Sequence, residues 1–446
     1  MKNKYIVCTY GCSANVHDGE KIGGYLEQAG FSKTNDLSVA DVVVVNSCAI
    51  RHTAENKIWG KLGHLKEKKA RDGTIIVFAG CMPAAYQQEI ELKYKWIDIV
   101  IYPEMYSELP VLIHKKLHAN HSFRPECKNE TNSTYYSKYS YHTVRRESQV
   151  SAFVEIMTGC DNFCSYCIVP IVRGREKSRS FNSIIEEVKY LVDIGYHEIV
   201  LLGQNVNSYY DAETKKNFLD LLEQVALLKP SRIRFFTSHP KDFNEKLPSI
   251  LVAYPNIARN IHLPIQAGSN FILAAMNRQY TVEQYEKIKL SIDMLPYFSC
   301  TTDVIVGFPG ETEEHFCETI DCMKKFKFEG AYTFKYSART KTAAAGMACQ
   351  VPENEKKRRL DELMRVQNEI SLFKNKNLIG STQEVLVEGL SKNNSEMLTG
   401  KTSCNRTVNF PGEISQIGKF ATVEIIKAGT WSITGKIVIG DDYIDC

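Results

Sequence analysis

The chain has 446 residues, of which 43% are hydrophobic and 24% charged, and 55 Lys and Arg against 52 Asp and Glu leave a formal net charge of +3. The length allows two to four domains, and the composition is that of an ordinary globular protein. No run approaches the ~20 apolar residues of a membrane span, Met1-Lys2-Asn3-Lys4 leads straight into a strand-like run without a secretory segment, and so weak a global field leaves any nucleic-acid contact to local basic patches.

In chain order, residues 5–10, 41–46 and 74–79 read as strands, with helical patterns at 19–29 and 54–66 between them. Val42-Val43-Val44-Val45 is continuously apolar, as a strand buried on both faces of a parallel sheet requires. A parallel α/β domain is therefore expected over 1–117. Residues 118–145 are polar and irregular and read as a linker. Its Tyr135, Tyr136, Tyr139 and Tyr141 either stack on RNA bases or pack on the neighbouring domains. From 146 to 376 strands and amphipathic helices alternate, with strands at 153–157, 198–203, 233–237, 261–265, 301–307 and 331–336. Helices are expected at 184–193, 218–228, 282–295, 313–326 and 354–373. Six βα units make a partial (β/α)6 barrel, whose open side suits a macromolecular substrate. Short strand patterns at 385–387, 397–401 and 422–426, separated by Gly and Asn turns, make 378–446 a small antiparallel β-barrel. The fold class is α/β.

Fourteen cysteines without a secretory segment argue for metal centres over disulfides and for a cytoplasmic protein, in which the glycosylation patterns at Asn129 and Asn132 carry no meaning. Cys160, Cys164 and Cys167 stand at spacings of four and three residues, directly after the apolar run 152–157. Three thiolates can hold three irons of a 4Fe-4S cluster and leave the fourth open to a small molecule. The alternative is a structural zinc site, which closes with four ligands; no fourth Cys or His stands nearby at such a spacing. Cys12, Cys48 and Cys81 lie 36 and 33 residues apart, about one βαβ unit each, and each sits just past an expected strand. Strand ends of an open parallel sheet share one edge, where ligands bind. These three therefore converge as a second cluster site, or else each is a small buried hydrophobe. Cys8 falls inside its strand, and Cys127, Cys300, Cys317, Cys322, Cys349, Cys404 and Cys446 have no cluster spacing.

Together these residues resemble the methylthiotransferases, a radical S-adenosylmethionine family with two iron–sulfur clusters. Thr9-Tyr10-Gly11-Cys12 with Asn15, Asp18 and Glu20, Asn46-Ser47-Cys48-Ala49-Ile50-Arg51 with Ala54, Glu55 and Lys57, and Gly80-Cys81-Met82 match its three auxiliary motifs. The radical motif continues as Ile168-Val169-Pro170, Arg173-Gly174-Arg175-Glu176 and Ser178-Arg179. Leu202–Tyr209, Thr237–Asp242 and Asn405–Gly412 are most similar to the members that act on isopentenyladenosine beside the tRNA anticodon. Ser13-Ala14, Gly19 and Ser47 depart from the usual residues and leave the cysteines intact.

The resemblance implies a C-terminal TRAM domain, two 4Fe-4S clusters on Cys12, Cys48, Cys81 and on Cys160, Cys164, Cys167, and two uses of S-adenosylmethionine. One methylates a sulfur on the auxiliary cluster. The other is cleaved to a radical that removes hydrogen from carbon 2 of the adenine, at tRNA position 37, where the methylthio group is added. An electron donor such as a flavodoxin or ferredoxin is implied as a partner, as is an iron–sulfur carrier. Phe163 and Tyr166 within the motif, and Gln204, Asn205, Ser238, Gln266 and Asp303 at barrel strand ends, are the expected cofactor contacts; a helix cap or turn is the alternative for the last five. Residues 306–312 either hold the adenine by backbone contacts or form a plain turn. Arg173, Arg175, Lys177 and Arg179, the run Lys356-Lys357-Arg358-Arg359, and Lys401, Arg406 and Lys419 of the tail are candidates for RNA phosphate, against the reading of a solvated face. The tail carries six Lys and Arg against eight Asp and Glu, so its RNA role rests on the resemblance. The rivals are a methylthiotransferase for threonylcarbamoyl-adenosine or a ribosomal protein, an iron–sulfur electron carrier or scaffold, and an RNA-binding module.

Overall fold

The computed structural model describes residues 3–49, 52–119, 136, 139–392 and 394–438. Ile50, Arg51, Tyr135, Cys127, Cys446, the two glycosylation patterns and most of the expected linker lie outside the described residues. The chain forms two compact units. No described helix is long and apolar enough to cross a membrane.

The first unit comprises residues 1–147, 157–179 and 339–345. Its sheet is built from β1 (Lys4–Tyr10), β2 (Ser32–Lys33), β3 (Val42–Ser47), β4 (Ile75–Gly80) and β5 (Ile99–Ile101), all parallel, in the order β2-β1-β3-β4-β5. Alternate side chains of a strand leave on opposite faces. Val43, Val45, Ile76 and Phe78 enter one hydrophobic core, while Val42, Val44, Ile75 and Val77 enter the other. Both faces being covered, the central strands must be apolar throughout. Helix α1 (Ser13–Gln28) starts directly after Cys12, six residues before the apolar pattern placed it. Its first turns are polar yet buried, so they carry no amphipathic signal. Helix α2 (His52–Asp72) likewise runs beyond both expected ends. Thr143 and Arg145, placed in the linker, pack on α1: Gly24 has no room for a side chain against the Thr143 carbonyl, and the Arg145 N–H donates to Glu20 O at 3.1 Å.

The second unit comprises residues 148–156, 180–338 and 346–446. β6 (Ser151–Glu155) opens it; the next pair, β7 (Met157–Thr158) and β8 (Lys177–Ser178), belongs to the first unit. β9 (Glu198–Leu202) follows, then the two-residue arms β10 (Tyr210–Asp211) and β11 (Lys216–Asn217), β12 (Arg232–Phe235), β13 (Asn260–His262), β14 (Ser299–Val306) and β15 (Gly330–Lys335). β6, β9 and β12 form one parallel ladder and β13, β14 and β15 another, joined by a bridge from Ile233 to Ile257. Among the described residues no ladder returns from β15 to β6, so the barrel is open, as six βα units suggest. A long helix, Glu353–Lys376, leads to the closed barrel of β16 (Thr382–Ser391), β17 (Asn394–Thr402), β18 (Thr407–Pro411), β19 (Phe420–Ala428) and β20 (Ile433–Ile437). Val385, Leu398, Phe410, Val423 and Ile433 fill its core. The barrel is antiparallel at four of its five junctions, as expected, and β18 and β20 run parallel at the fifth. Five strands cannot close with every neighbour antiparallel, because an odd number of alternations does not return to its start.

Candidate functional site

In the first unit, register brings the first cysteine triplet together. Tyr10 lies opposite Ser47, and Ser47 opposite Gly80, so β1, β3 and β4 stop at one level. Cys12, Cys48 and Cys81 are the residues just beyond. The approach is tight: a Cβ on Gly11 would lie 2.5 Å from the Cys48 Cβ, and one on Gly80 2.3 Å from Ser47 O. Asn15 and Asn46 tie the ends together, the Asn15 Nδ2 donating to Ser47 O at 3.1 Å and the Asn46 Nδ2 to Asn15 O at 2.7 Å. Cys12 caps α1, where backbone N–H groups favour an anion. A hydrogen bond from Cys48, the Arg173 charge and the Asn15 and Ala14 N–H groups bring its thiol down to about 5 against the opposing effect of burial. Burial pushes the Cys81 thiol up, despite Arg173 nearby.

The second triplet rides a loop between β7 and β8, whose antiparallel pairing of Met157 with Ser178 and Thr158 with Lys177 closes the neck. Gly159 begins the loop at φ 77°, and a Cβ there would meet Arg175 O at 2.1 Å. The Cys160 N–H donates to Gly174 O, the Cys167 N–H to Cys164 O, and Asn162 Nδ2 to the Cys160 sulfur at 3.4 Å. Burial raises the Cys160 thiol. Phe163 takes φ 45°, stands exposed, and carries the Arg175 guanidinium 4.9 Å from its ring centre; Tyr166 is half-buried.

All six cysteines belong to the same unit. One ion pair ties their segments: Arg173, six residues after Cys167, donates to Asp18, six after Cys12, at 2.6 Å. Asp18 also pairs with Lys21 at 3.2 Å, and the cations outweigh its burial to hold it below the usual carboxylate range. Thiols are the donors that iron–sulfur clusters require, so both triplets fit the group the motif implies. Among the described residues no three His, Cys, Asp or Glu side chains are placed to hold a single metal ion.

In the second unit, buried side-chain atoms that lack a hydrogen-bond partner among the described residues collect at the carboxyl ends of three successive barrel strands. They belong to Gln204 and Asn207 after β9, Ser238 and His239 after β12, and Gln266 after β13. Thr237 and Gln266 hold left-handed backbone, φ 64° and 71°. Buried polar groups without partners are rare in native folds, and strained backbone gathers at functional sites. Of the expected cofactor contacts, Gln204, Ser238 and Gln266 share this property. Asn205 does not: its amide donates to Asp242 at 2.7 Å and accepts from the His239 N–H at 3.0 Å, which makes it a structural tie. Asp303 faces the His262 Nε2 at 3.4 Å. Asn207 and His239 are additions; the polar stretches holding them signalled turns more strongly than ligands. In 306–312 the Gly307 N–H is taken by Glu311, the Gly310 N–H by Cys349 and the Glu311 N–H by Phe308.

The basic residues separate by burial. Arg173 is 3% exposed in its pair with Asp18, and Arg179 is 2% exposed with its guanidinium 4.5 Å from the Tyr139 ring centre. Both guanidinium groups are engaged inside the first unit. Arg175 is exposed and pairs with Asp161 at 2.8 Å; Lys177 is half-buried near Glu104. Tyr139 is likewise occupied by Arg179. In the run 356–359, Arg358 pairs with Glu313, Glu355 and Glu362, Arg359 with Glu311 and Lys356 with Glu353, while Lys357 is exposed. In the tail, burial lowers the Lys401 ammonium, and Arg406 donates to Asn375; Lys419 alone of the three is exposed.

Family descriptions match the chain in three places: the uncharacterized protein family UPF0004 at 4–102, the radical SAM superfamily at 154–323, and the TRAM domain at 376–438. A tRNA-2-methylthio-N(6)-dimethylallyladenosine synthase of Syntrophomonas wolfei is 46% identical over 97% of each chain. The chain belongs to this synthase family. Synthases of the same name from Thermoanaerobacter sp. (strain X514) and Acetivibrio thermocellus are 43% and 41% identical, covering 97% and 98% of this chain and 92% and 91% of theirs. Among solved structures, the radical S-adenosylmethionine methyltransferase TsrM of Kitasatospora setae aligns with TM-score 0.60 at 15% identity over 77% of each chain. The cobalamin-dependent enzyme OxsB aligns with TM-score 0.51 at 11% identity over 82% of this chain and 56% of its own. These two likenesses concern fold alone. Membership of the synthase family brings S-adenosylmethionine and a 4Fe-4S cluster with the radical SAM domain.

Proposed function

We propose that this chain, a tRNA methylthiotransferase working by radical S-adenosylmethionine chemistry, adds a methylthio group to carbon 2 of isopentenyladenosine at tRNA position 37. One observation carries the reading: two cysteine triplets, one at three level strand ends and one on a loop pinned at its neck, occupy a single compact unit tied by Arg173 and Asp18. A carrier or scaffold needs one centre; a reaction that joins radical chemistry to sulfur transfer needs two. When bound, the clusters and S-adenosylmethionine supply the hydrogen-abstracting radical and the sulfur. The chain supplies placement. Cys160, Cys164 and Cys167 hold the radical cluster, while Cys12, Cys48 and Cys81 hold a second one. Gln204, Ser238 and Gln266 bind the cofactor, with Phe163 and Tyr166 beside the radical cluster. Arg175, Lys177 and Lys419 meet RNA phosphate, and the target base leaves its stack to react. A flavodoxin or ferredoxin delivers the electrons, and an iron–sulfur carrier restores the clusters. Functionally, 1–117 is the auxiliary-cluster domain, 118–145 a linker, 146–376 the radical barrel and 378–446 the RNA-gripping barrel.

Two measurements test this. Anaerobically reconstituted protein should hold about eight irons, falling to about four when either triplet is changed to Ala. Modified-nucleoside mass analysis of a deletion strain should show loss of the 2-methylthio group from isopentenyladenosine and its return on complementation. Loss from threonylcarbamoyl-adenosine, or an unmodified ribosomal protein, would transfer the assignment to those rivals.

A further inference from the structure

His239 has a job that its place in a turn does not exhaust. It follows β12, is 6% exposed, and caps the single turn Pro240–Asp242. Its Nδ1 accepts the Lys241 N–H at 3.2 Å. A nitrogen that accepts carries no proton, so the neutral ring must bear its proton on Nε2. The ring is held neutral: burial, then the charges of Arg278 and Lys241, push it down to about 2. The ring packs edge-on to Tyr280, whose hydroxyl is bound to Ile265 O at 2.7 Å. The Nε2–H is thus an uncharged donor, and it has no acceptor among the described residues. A buried donor left so is destabilising.

Four neighbours in the fold share that state. The Gln204 and Gln266 carbonyl oxygens, the Ser238 hydroxyl and both polar atoms of the Asn207 amide are buried without partners among the described residues. Hydrogen bonds donated by backbone N–H groups bind the strand ends that carry them: Val206 N–H to Thr237 O, Ser238 N–H to His262 O, and His239 N–H to the Asn205 side-chain Oδ1. An isolated unpaired group is a local imperfection. Five side chains on three successive strand ends, offering donors and acceptors together, are a lining that waits for a ligand bearing both.

We infer that His239 donates its Nε2–H to an acceptor atom of S-adenosylmethionine, as a cofactor-positioning residue at the mouth of the barrel. The cofactor carries acceptors in its carboxylate, ribose and adenine, and donors in its ammonium, hydroxyls and amine, which match the mixed lining. A small cofactor reaches groups this deeply buried, whereas an RNA base entering afterwards meets what the cofactor leaves exposed. The inference rests on the proposed reaction and names a contact for it.

The test separates the cap from the donor. His239→Asn keeps an acceptor at the Nδ1 position, where Asn caps well, and deletes the Nε2–H. His239→Gln keeps a donor at the Nε2 reach and deletes the cap. Both are prepared as reconstituted holoenzyme, with iron content and thermal midpoint measured first. Equilibrium binding of S-adenosylmethionine and of an anticodon stem-loop RNA is then compared with wild type. His239→Asn should retain the melting point, bind S-adenosylmethionine about tenfold more weakly, and bind RNA unchanged. His239→Gln should melt lower yet retain most cofactor affinity. Unchanged cofactor binding by His239→Asn overturns the inference, as does a loss confined to RNA. A wild-type holoenzyme that binds no S-adenosylmethionine would instead sink the proposed function.

Discussion

Two glycines show what single positions contribute. Gly80 sits at φ 95° with the Ser47 carbonyl 2.3 Å and the Asn46 Oδ1 2.8 Å from where a Cβ would go. Gly80→Ala must move the strand end that presents Cys81; a cost of about 1–3 kcal/mol and loss of iron from the Cys12, Cys48 and Cys81 triplet are expected, read by melting and iron analysis. Gly60, within α2, has nothing within 4 Å of its Cβ direction. Gly60→Ala should raise stability by about 0.5–1 kcal/mol with iron content intact. Asp18 is a sharper case. Asp18→Asn leaves Arg173 and Lys21 as buried cations without their carboxylate. Breaking a buried pair costs about 3–5 kcal/mol, so urea unfolding of this variant should show a loss of that order; a loss below ~1 kcal/mol would mean that Arg173 finds another anion.

At the level of elements, legibility followed chemistry. The all-apolar strands β3 and β4 could be placed within a residue, because burial on both faces leaves one composition possible. The start of α1 could not, since Asn15 is buried in a hydrogen bond to Ser47, His17 against Glu20 and Asp18 against Lys21, and periodicity registers only apolar faces. The cysteine triplets were legible because spacing in sequence becomes spacing at strand ends. The burial of Arg173 and Arg179 was not, because a basic run reads the same whether it faces water or carboxylates that lie far off in sequence. His239 was hidden by its neighbour Pro240, which speaks for a turn. The end of α2 offers a pH test. Burial opposes, but hydrogen bonds from Lys68 and Thr74 hold the Asp72 carboxyl down to about 2. A group depressed on folding stabilises above its ordinary pKa of ~3.9 and ceases to as pH falls through its folded value. Because Asp72 is 35% exposed, solvent screening trims its contribution to roughly 1 kcal/mol. The advantage of wild type over Asp72→Asn should be of that size at pH 6 and vanish near pH 2, followed by denaturant unfolding across the range.

For the second unit as a whole, the closed C-terminal barrel is a structural partner of the open one. Arg232 and Arg234, 3% and 5% exposed on β12, donate to the Lys401 and Thr402 carbonyls at 2.8 Å each. Ser299 at the start of β14 donates to Cys404 O at 2.9 Å, and Asn375 of the long helix to Gly429 O at 2.8 Å. Deleting 378–446 therefore strips two buried guanidinium groups of acceptors, and the remainder should melt lower or aggregate, so such a truncation cannot measure RNA affinity. Point changes can. Lys401 lies in this internal contact, and Lys401→Ala should shift the melting point. Lys419 is exposed, and Lys419→Ala should leave melting unchanged, weaken stem-loop binding uniformly across sequences, and reduce the salt slope by about one. An unaltered slope would place the RNA-facing side of this barrel away from Lys419, toward the exposed Trp431 and Lys427 of the β19–β20 hairpin.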